Sequence, residues 1–293
     1  MPPEEAPRLR LGGFTGGYFG QPVVRDLDLE VPAGGVVALL GANGAGKTTT
    51  LETIAGLHAP IAGTIAIDGE EVAGRPTHKL ARDGVSLVPE SRALFNGLTV
   101  REHLVLARSG DADLPTDAIL DMLPELEKCM GRKAGVLSGG EQQMLAVGRA
   151  LVGRPRLLLV DEMSLGLAPI IVERLLPILR RVATEMGTGV LFVEQHVPLA
   201  LEVADHAYVL SHGRLVAEGA AEEMSKQQEL LQSSYLGDEA ADDGAVTPAR
   251  SGAARDVNQE EREPDAIRSQ NAGPAGVGGA SRAARRGLRR GRQ

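Results

Sequence analysis

Three short segments of the chain carry residue types that suit chemistry on a phosphate. The first, Gly41-Ala-Asn-Gly-Ala-Gly-Lys47-Thr48, matches the pattern G-x-x-x-x-G-K-[ST]. Its glycines let backbone N–H groups turn inward around an anion, and a helix starting near Lys47 points its positive end at the same place. Lys47 can then reach the β- and γ-phosphates of a nucleotide, and the Thr48 hydroxyl can bind Mg²⁺. A glycine-rich turn without a ligand is the alternative, but the position between an apolar run and a helical pattern favours a phosphate loop.

The second segment is an apolar run that ends in two carboxylates, Leu157-Leu-Leu-Val160-Asp161-Glu162. At the end of a buried strand, Asp161 can hold the metal ion, usually through water. Glu162 is then placed to orient and deprotonate an attacking water. The alternative is that both residues are solvated acids at the end of a strand. The phosphate loop in the same chain disfavours that alternative.

The third segment, Leu137-Ser-Gly-Gly-Glu-Gln-Gln143, is called the signature segment below. Ser138 and Glu141 form an S-x-x-E capping box, which is enough to start a helix. A capping box does not need Gly139 and Gly140, and glycine weakens a helix by up to ~1 kcal/mol per residue. Glycines do allow close approach to the backbone. We interpret the segment as a second anion site, for a nucleotide held by another subunit.

The segments around these motifs alternate between strand and helix patterns. All-apolar runs such as Val36–Leu40 predict strands buried on both faces, and their alternation with helices predicts a mostly parallel sheet. Arg8–Phe14 and Val23–Val31 alternate apolar and polar residues, which predicts an antiparallel N-terminal part. A helix is predicted from Pro169, with a kink at Pro177.

Composition narrows the class of protein. The chain has 293 residues, 43% of them hydrophobic, 2% aromatic, and a formal net charge of −8. The single Cys129 excludes an intrachain disulfide framework and a cysteine-rich zinc site. Apolar runs stay well short of the ~18 residues that a membrane span requires, and no signal segment is apparent, so we expect a cytoplasmic protein. The acidic balance argues against broad nucleic-acid binding.

Composition also changes near Gly237, which predicts a folded domain over residues 1–237 and a disordered tail over residues 238–293. The tail is acidic from Asp238 to Asp265 and Arg-rich from Ala266 onwards, without any aromatic residue. A segment of this kind cannot bury enough apolar surface to offset the entropy lost on ordering.

Together, the phosphate loop, the signature segment and the Val-Asp-Glu strand resemble the ATPase subunits of ABC transporters in order and spacing, from about Leu9 to Gly237. The resemblance implies an α/β P-loop ATPase with a mostly parallel core sheet, an N-terminal antiparallel sheet and a helical subdomain at about 91–148. It implies ATP and Mg²⁺ as ligands, with two subunits paired head to tail around the ATP. The ATP contacts that it implies are Gly41, Asn43, Gly44, Ala45, Gly46, Lys47, Thr48 and Thr49.

Other site positions rest on the resemblance alone. Tyr18 lies 29 residues before Lys47, where the family places an aromatic that stacks on adenine; Phe14 and Phe19 are the other candidates. His196 matches the switch histidine that contacts the γ-phosphate. The residues that would contact the partner's ATP are Ser138, Gly139, Gly140 and Glu141.

Departures from the general pattern indicate a subgroup. Glu90 stands where most members have a metal-contacting glutamine, and a carboxylate there adds negative charge beside the phosphates. Met163 replaces the usual proline after Asp161-Glu162. The Pro89-Glu90 pair and the segment Ser164-Leu-Gly-Leu-Ala-Pro169 resemble the second ATPase of branched-chain amino-acid importers. Importers of urea and short amides share much of this pattern and remain an alternative.

The resemblance therefore implies an ATP-hydrolysing importer subunit on the cytoplasmic face of the membrane. Its implied partners are a sister ATPase, in a homo- or heterodimer, two transmembrane permease subunits and, indirectly, a solute-binding protein. No nucleic-acid partner is expected. A non-transport ABC ATPase is the more distant alternative, but the sequence has neither the second ATPase domain of translation factors nor the coiled coil of repair proteins. A nucleotide binder without hydrolysis is disfavoured because Lys47, Asp161, Glu162 and His196 are all present.

Overall fold

Two sheets form the framework of the protein in the computed structural model, which describes residues 6–108, 110, 113–164 and 166–226. The smaller sheet is antiparallel, with the strand order β2-β1-β4-β5. Its strands are β1 (Leu9–Tyr18), β2 (Gln21–Val31), β4 (Ala62–Ile67) and β5 (Glu70–Glu71). The antiparallel N-terminal part is confirmed. Both early strands run further than their alternation predicts, because a tight turn at Phe19-Gly20 joins them directly.

The larger sheet has the strand order β10-β9-β3-β8-β7-β6. Its members are β3 (Val36–Leu40), β6 (Val85–Val88), β7 (Leu157–Val160), β8 (Gly189–Glu194), β9 (His206–Ser211) and β10 (Arg214–Ala220). Every neighbouring pair from β6 to β9 is parallel, and the β9–β10 hairpin is antiparallel. The predicted α/β fold with a mostly parallel core sheet is therefore confirmed.

Strand β3 shows why its sequence has no polar position. Its five side chains are all buried, and they alternate between two apolar clusters on opposite faces of the sheet. Val36, Ala38 and Leu40 pack into one cluster, and Val37 and Leu39 into the other. A strand covered on both faces can hold the loop that follows it in a fixed position.

Helices connect and cover the strands. They are α1 (Lys47–Ile54), α2 (Thr77–Arg82), α3 (Val100–Leu106), α4 (Thr116–Met122), α5 (Gly139–Val152), α6 (Pro169–Met186), α7 (Val197–Val203) and α8 (Ala221–Lys226). Two short 3₁₀ helices, Pro124–Cys129 and Ala134–Val136, lie between α4 and α5. Helices α3 to α5 all fall between β6 and β7, in the region of the predicted helical insertion, although α5 continues to Val152.

Helix α6 is unbroken through Pro177. Pro177 lies on the exposed side of the helix, whereas Leu175, Leu176 and Leu179 are buried. Burial of a leucine side chain stabilises the fold by about 1.5–3 kcal/mol, so this packing can hold a helix that has lost one backbone hydrogen bond.

The predicted tail, residues 238–293, lies outside the described residues, as does Gly237 at the predicted domain end. Within the described part of the chain, no helix has the length and apolar character needed to cross a membrane.

Candidate functional site

Four parallel strands end side by side at one edge of the larger sheet. The phosphate loop follows β3, Asp161 and Glu162 follow β7, Glu90 follows β6, and His196 comes shortly after β8. In the register of the sheet, Leu40 pairs with Glu194, and Val160 pairs with both Val88 and Phe192. The carboxyl ends of parallel strands are where α/β sheets bind ligands. Segments that are distant in sequence thereby meet at one place.

The phosphate loop ends at Gly46, which is the N-cap of α1. Gly46 has a φ of 103°, and a Cβ there would lie 2.3 Å from Cγ2 of Val24, so only glycine fits. No side chain caps α1, and its first turn contains no acidic residue. The free N–H groups at a helix N-terminus need acceptors, and an anion supplies them. The loop and helix therefore have the geometry of an anion-binding site.

Lys47 is almost completely buried, at 4% exposure. Its Nζ donates to the carbonyl oxygens of Gly41 at 2.8 Å and Ala42 at 2.9 Å, and lies 3.5 Å from Oε1 of Glu162. The loop's own carbonyls and one carboxylate thus satisfy the ammonium group. A phosphate in the loop would offer it a charged acceptor, which makes a stronger hydrogen bond than a carbonyl does.

Asp161 is buried beside the phosphate loop and accepts a hydrogen bond from the Thr48 hydroxyl, with Oγ1 and Oδ1 3.1 Å apart. Burial raises the pKa of Asp161 to about 6, and the hydrogen bond from Thr48 opposes that shift. The negative charges of Glu162, Glu90 and Glu52 contribute to this raised value. The site thus gathers acids that would be stabilised by a cation.

Thr48 and Asp161 are chemically suited to a hard cation. Hydroxyl and carboxylate oxygens are the ligands that Mg²⁺ prefers, and Mg²⁺ is usually held by one or two carboxylates together with phosphate and water. In the described residues, no cluster of three or more His, Cys, Asp or Glu side chains could hold a metal ion by itself. The donors that are present fit a metal ion bound together with a nucleotide.

Glu162 has an unusual backbone conformation, with a φ of 42°. A non-glycine residue in the left-handed region costs about 1–3 kcal/mol and is found most often at functional sites. Its Oε1, already near Lys47, accepts a hydrogen bond from Nε2 of Gln195 at 2.9 Å. The same Nε2 donates to Oδ1 of Asn43 at 2.7 Å. The carboxylate is therefore held over the phosphate loop.

A cavity of about 350 Å³ opens over these groups. The lining includes the predicted residues Asn43, Gly44, Gly46, Lys47, Thr48, Thr49, Glu90 and Glu162. Val23 and Gln195 also line it and were not among the predicted site residues. Gln195 carried a usable signal, since it is a polar residue just past an apolar strand, whereas Val23 is an ordinary apolar residue of β2.

The three candidate aromatic residues have different surroundings. The hydroxyl of Tyr18 donates to Glu52 at 3.0 Å and accepts from Thr49 at 3.2 Å, which ties it to α1. Partial burial raises the pKa of Tyr18, Thr49 opposes this, and Glu52 adds to it. Phe14 is fully buried in the core, and Phe19 is fully exposed at the β1–β2 turn. Phe14 therefore has no surface to offer a ligand.

His196 lies just beyond β8 with a largely exposed side chain. Its Nδ1 is 3.4 Å from Oγ of Ser164 and 3.9 Å from Oε2 of Glu194. These neighbours connect His196 to the segment that follows Glu162.

The signature segment starts α5, and its capping box is confirmed. Ser138 Oγ accepts from the Glu141 N–H at 3.3 Å, and Glu141 Oε2 accepts from the Ser138 N–H at 2.7 Å. That backbone bond is the main cause that lowers the pKa of Glu141. A Cβ on Gly140 would lie 2.9 Å from Cγ2 of Ile171, so contact between α5 and α6 already requires that glycine. Ser138 is exposed, and among the described residues none of the signature segment lines the cavity beside Lys47.

Comparisons with known proteins agree with this geometry. A family model described as ABC transporter matches residues 24–164. The high-affinity branched-chain amino acid transport ATP-binding protein BraG of Pseudomonas aeruginosa is 44% identical over 204 residues, which cover 68% of this chain and 87% of BraG. The chain belongs to the ABC transporter ATPase family.

Further similarities extend across the family. The lipopolysaccharide export system ATP-binding protein LptB of Escherichia coli K12 is 35% identical over 228 residues, covering 76% of this chain and 94% of LptB. A solved structure of an ATP-binding subunit of an ABC transporter is 31% identical, with a TM-score of 0.65, and covers 78% of this chain and 96% of that one. ABC ATPases bind and hydrolyse ATP, form dimers and work with membrane components, and this chain is one of them.

Proposed function

We propose that this ABC ATPase drives the import of branched-chain amino acids. The observation that supports this solute is the 44% identity with BraG, compared with 35% for the export ATPase LptB. The stretch similar to BraG covers two thirds of the chain. Import of urea or short amides is the alternative.

For the hydrolysis step, we assign the proton acceptor to Glu162. The phosphate loop (Gly41, Asn43, Gly44, Ala45, Gly46, Lys47, Thr48, Thr49) would hold the phosphates, with Lys47 neutralising their charge. Water attacks the γ-phosphorus, Glu162 takes its proton, and the bond to the bridging oxygen breaks to release ADP and phosphate. His196 would contact the γ-phosphate. The support for this assignment is the position of the Glu162 carboxylate over the loop, 3.5 Å from Nζ of Lys47.

Thr48 and Asp161 would hold Mg²⁺. When bound, the ion supplies positive charge that neutralises phosphate oxygens. Glu90 lines the same cavity, and its charge acts on Asp161, so we include it as a further metal contact. A cation would relieve the repulsion among these carboxylates.

We further propose a shared site in a head-to-tail dimer. Ser138, Gly139, Gly140 and Glu141 would contact the ATP of the partner, since none of them lines their own subunit's cavity in the described structure. Tyr18 would stack on adenine, as the family pattern implies. The proposed assembly has a sister ATPase, identical or related, two permease subunits and a solute-binding protein that acts through them. It would place this chain at the cytoplasmic face of the membrane.

Uptake of radiolabelled leucine tests the proposed solute. In cells of the source organism that lack this gene, the wild-type gene should restore uptake, and Lys47→Ala should not. Urea uptake in the same strains is the control and should not change. Dependence of urea uptake, but not leucine uptake, on the gene would contradict the proposal.

A further inference from the structure

Strand β8 ends at Glu194, a carboxylate that the hydrolysis proposed above does not use. Its side chain is 1% exposed. A buried carboxylate is costly unless hydrogen-bond donors surround it. The identity of those donors therefore indicates what the residue does.

The donors to Glu194 come from two segments that border the site. Oε1 accepts from the Ser164 N–H at 2.9 Å, and Oε2 accepts from the Ser164 hydroxyl at 2.7 Å. Oε2 also accepts from the Gln195 N–H at 3.2 Å. Ser164 lies two residues after Glu162. One buried carboxylate thus fixes the segment that carries Glu162 to the backbone of Gln195.

Gln195 completes the connection through its side chain. Its Nε2 donates to Glu162 Oε1 at 2.9 Å and to Asn43 Oδ1 at 2.7 Å. The cationic partner of Glu162 Oε1 is Lys47, at 3.5 Å. A phosphate in the loop competes with Glu162 for Lys47, because it is also an anion. Gln195 is then the partner that keeps the carboxylate in place.

We propose that Gln195 and Glu194 are positioning residues for Glu162. Gln195 fixes the direction of the Glu162 carboxylate, and Glu194 fixes Gln195 and Ser164 relative to each other. The inference rests on the proposed role of Glu162 as proton acceptor. Neither positioning residue exchanges a proton in the reaction. Their loss should lower kcat and leave ATP affinity nearly unchanged, because Lys47 and Thr48 still hold the nucleotide.

The first test measures kcat and the Kd of ATP for Gln195→Ala and Gln195→Glu. A hydrogen bond to a charged group contributes enough that Gln195→Ala should lower kcat about 10-fold or more. Gln195→Glu should lower it further, because a second carboxylate would face Glu162. The Kd should stay within about 3-fold for Gln195→Ala. An unchanged kcat, or a loss confined to Kd, would overturn the proposal.

The second test asks whether the residues act together. Glu194→Gln places an amide donor among N–H donors and should therefore lower kcat. The double variant Glu194→Gln/Gln195→Ala should lose no more kcat than the more damaging of the two single variants. If the fold-losses in kcat of the two single variants multiply in the double variant, the residues act independently, and the proposal is overturned. If Glu194→Gln does not fold, as judged by thermal unfolding, Ser164→Ala replaces it in the same cycle, because it removes one hydrogen bond to Glu194.

Glu162→Gln separates this inference from the proposed function. Adding Gln195→Ala to Glu162→Gln should not lower the residual rate any further, since Gln195 acts through Glu162. A further loss would overturn the positioning role. If Glu162→Gln alone keeps wild-type turnover, the proposed role of Glu162 fails first, and the positioning role fails with it. If Glu162→Gln loses turnover but Gln195→Ala does not, only the positioning role fails.

Discussion

Asp161 is an acid that the fold buries beside other acids, with a consequence for stability. Its pKa of about 6 in the folded protein lies above its ordinary value of 3.8. The folded state therefore holds a proton more tightly than the unfolded chain does. As the pH rises from below 4 to above 6, the stability from this group decreases, by a total on the order of 3 kcal/mol. Above that range the folded protein carries the full cost of the buried charge.

We predict that Asp161→Asn removes this pH dependence. Asparagine stays neutral, so the free energy of unfolding of the variant, relative to wild type, should rise by roughly 2 kcal/mol from pH 4 to pH 7.5. Urea unfolding of both proteins, without metal or nucleotide, measures the difference, and titrating groups distant from Asp161 cancel. Parallel pH profiles for the two proteins would contradict the assigned environment of Asp161.

Residue identity predicted much of the candidate site, because only a few residue types can serve in a phosphate loop or in a carboxylate pair at the end of a strand. Gln195 and Val23 were missed for a different reason. Gln195 reaches the cavity because β8 pairs with β3 and β7, which are far from it in sequence. Val23 reaches it because β2 lies beside the phosphate loop at Gly46. Neither arrangement can be derived from the sequence alone. For Gly140 the sequence suggested close approach of a ligand. The structure adds another reason for a glycine at this position, which is the close contact with Ile171.

At the scale of elements, the start of α5 carries the proposed contact with the partner's ATP. Ser138 is exposed, and its capping box is built entirely within its own subunit. The cap and the contact can therefore be tested separately. Asp and Asn cap a helix about as well as Ser does, so both preserve the start of α5.

We predict that Ser138→Asp lowers the ATPase rate at least 10-fold relative to Ser138→Asn. The two side chains have nearly the same shape, and only Asp adds a negative charge where a phosphate would approach. Thermal unfolding should be alike for both, and ATP binding to dilute monomers should be retained. Equal ATPase rates of the two variants would contradict a phosphate contact at Ser138.

The strands were easier to predict than the short helices. Val36–Leu40 and Leu157–Val160 have the predicted bounds because a strand buried on both faces needs a continuous apolar run. Helices α2 and α7 were not predicted. Neither has a side-chain cap, so the sequence carries no start signal of the Ser/Thr/Asp/Asn type for them.

At the scale of the whole molecule, the two apolar clusters on the faces of the larger sheet hold its strand ends in place, and the site lies along those ends. The fold class followed from the alternation of strands and helices. The strand order did not, because consecutive strands such as β3 and β4 belong to different sheets. The boundary near Gly237 and the Arg-rich tail stay predictions.

Phosphate release by Glu162→Gln tests the central claim most directly. With ATP and Mg²⁺ present, wild type should turn over, and the variant should be slower by about 10² or more, because a general base typically contributes 10²–10⁴. ATP binding should persist. ATP should also convert the variant into a stable dimer on size-exclusion chromatography, because without hydrolysis the ATP-bound dimer does not dissociate. A variant that releases phosphate at close to the wild-type rate would show that another group takes the proton, and would contradict the account.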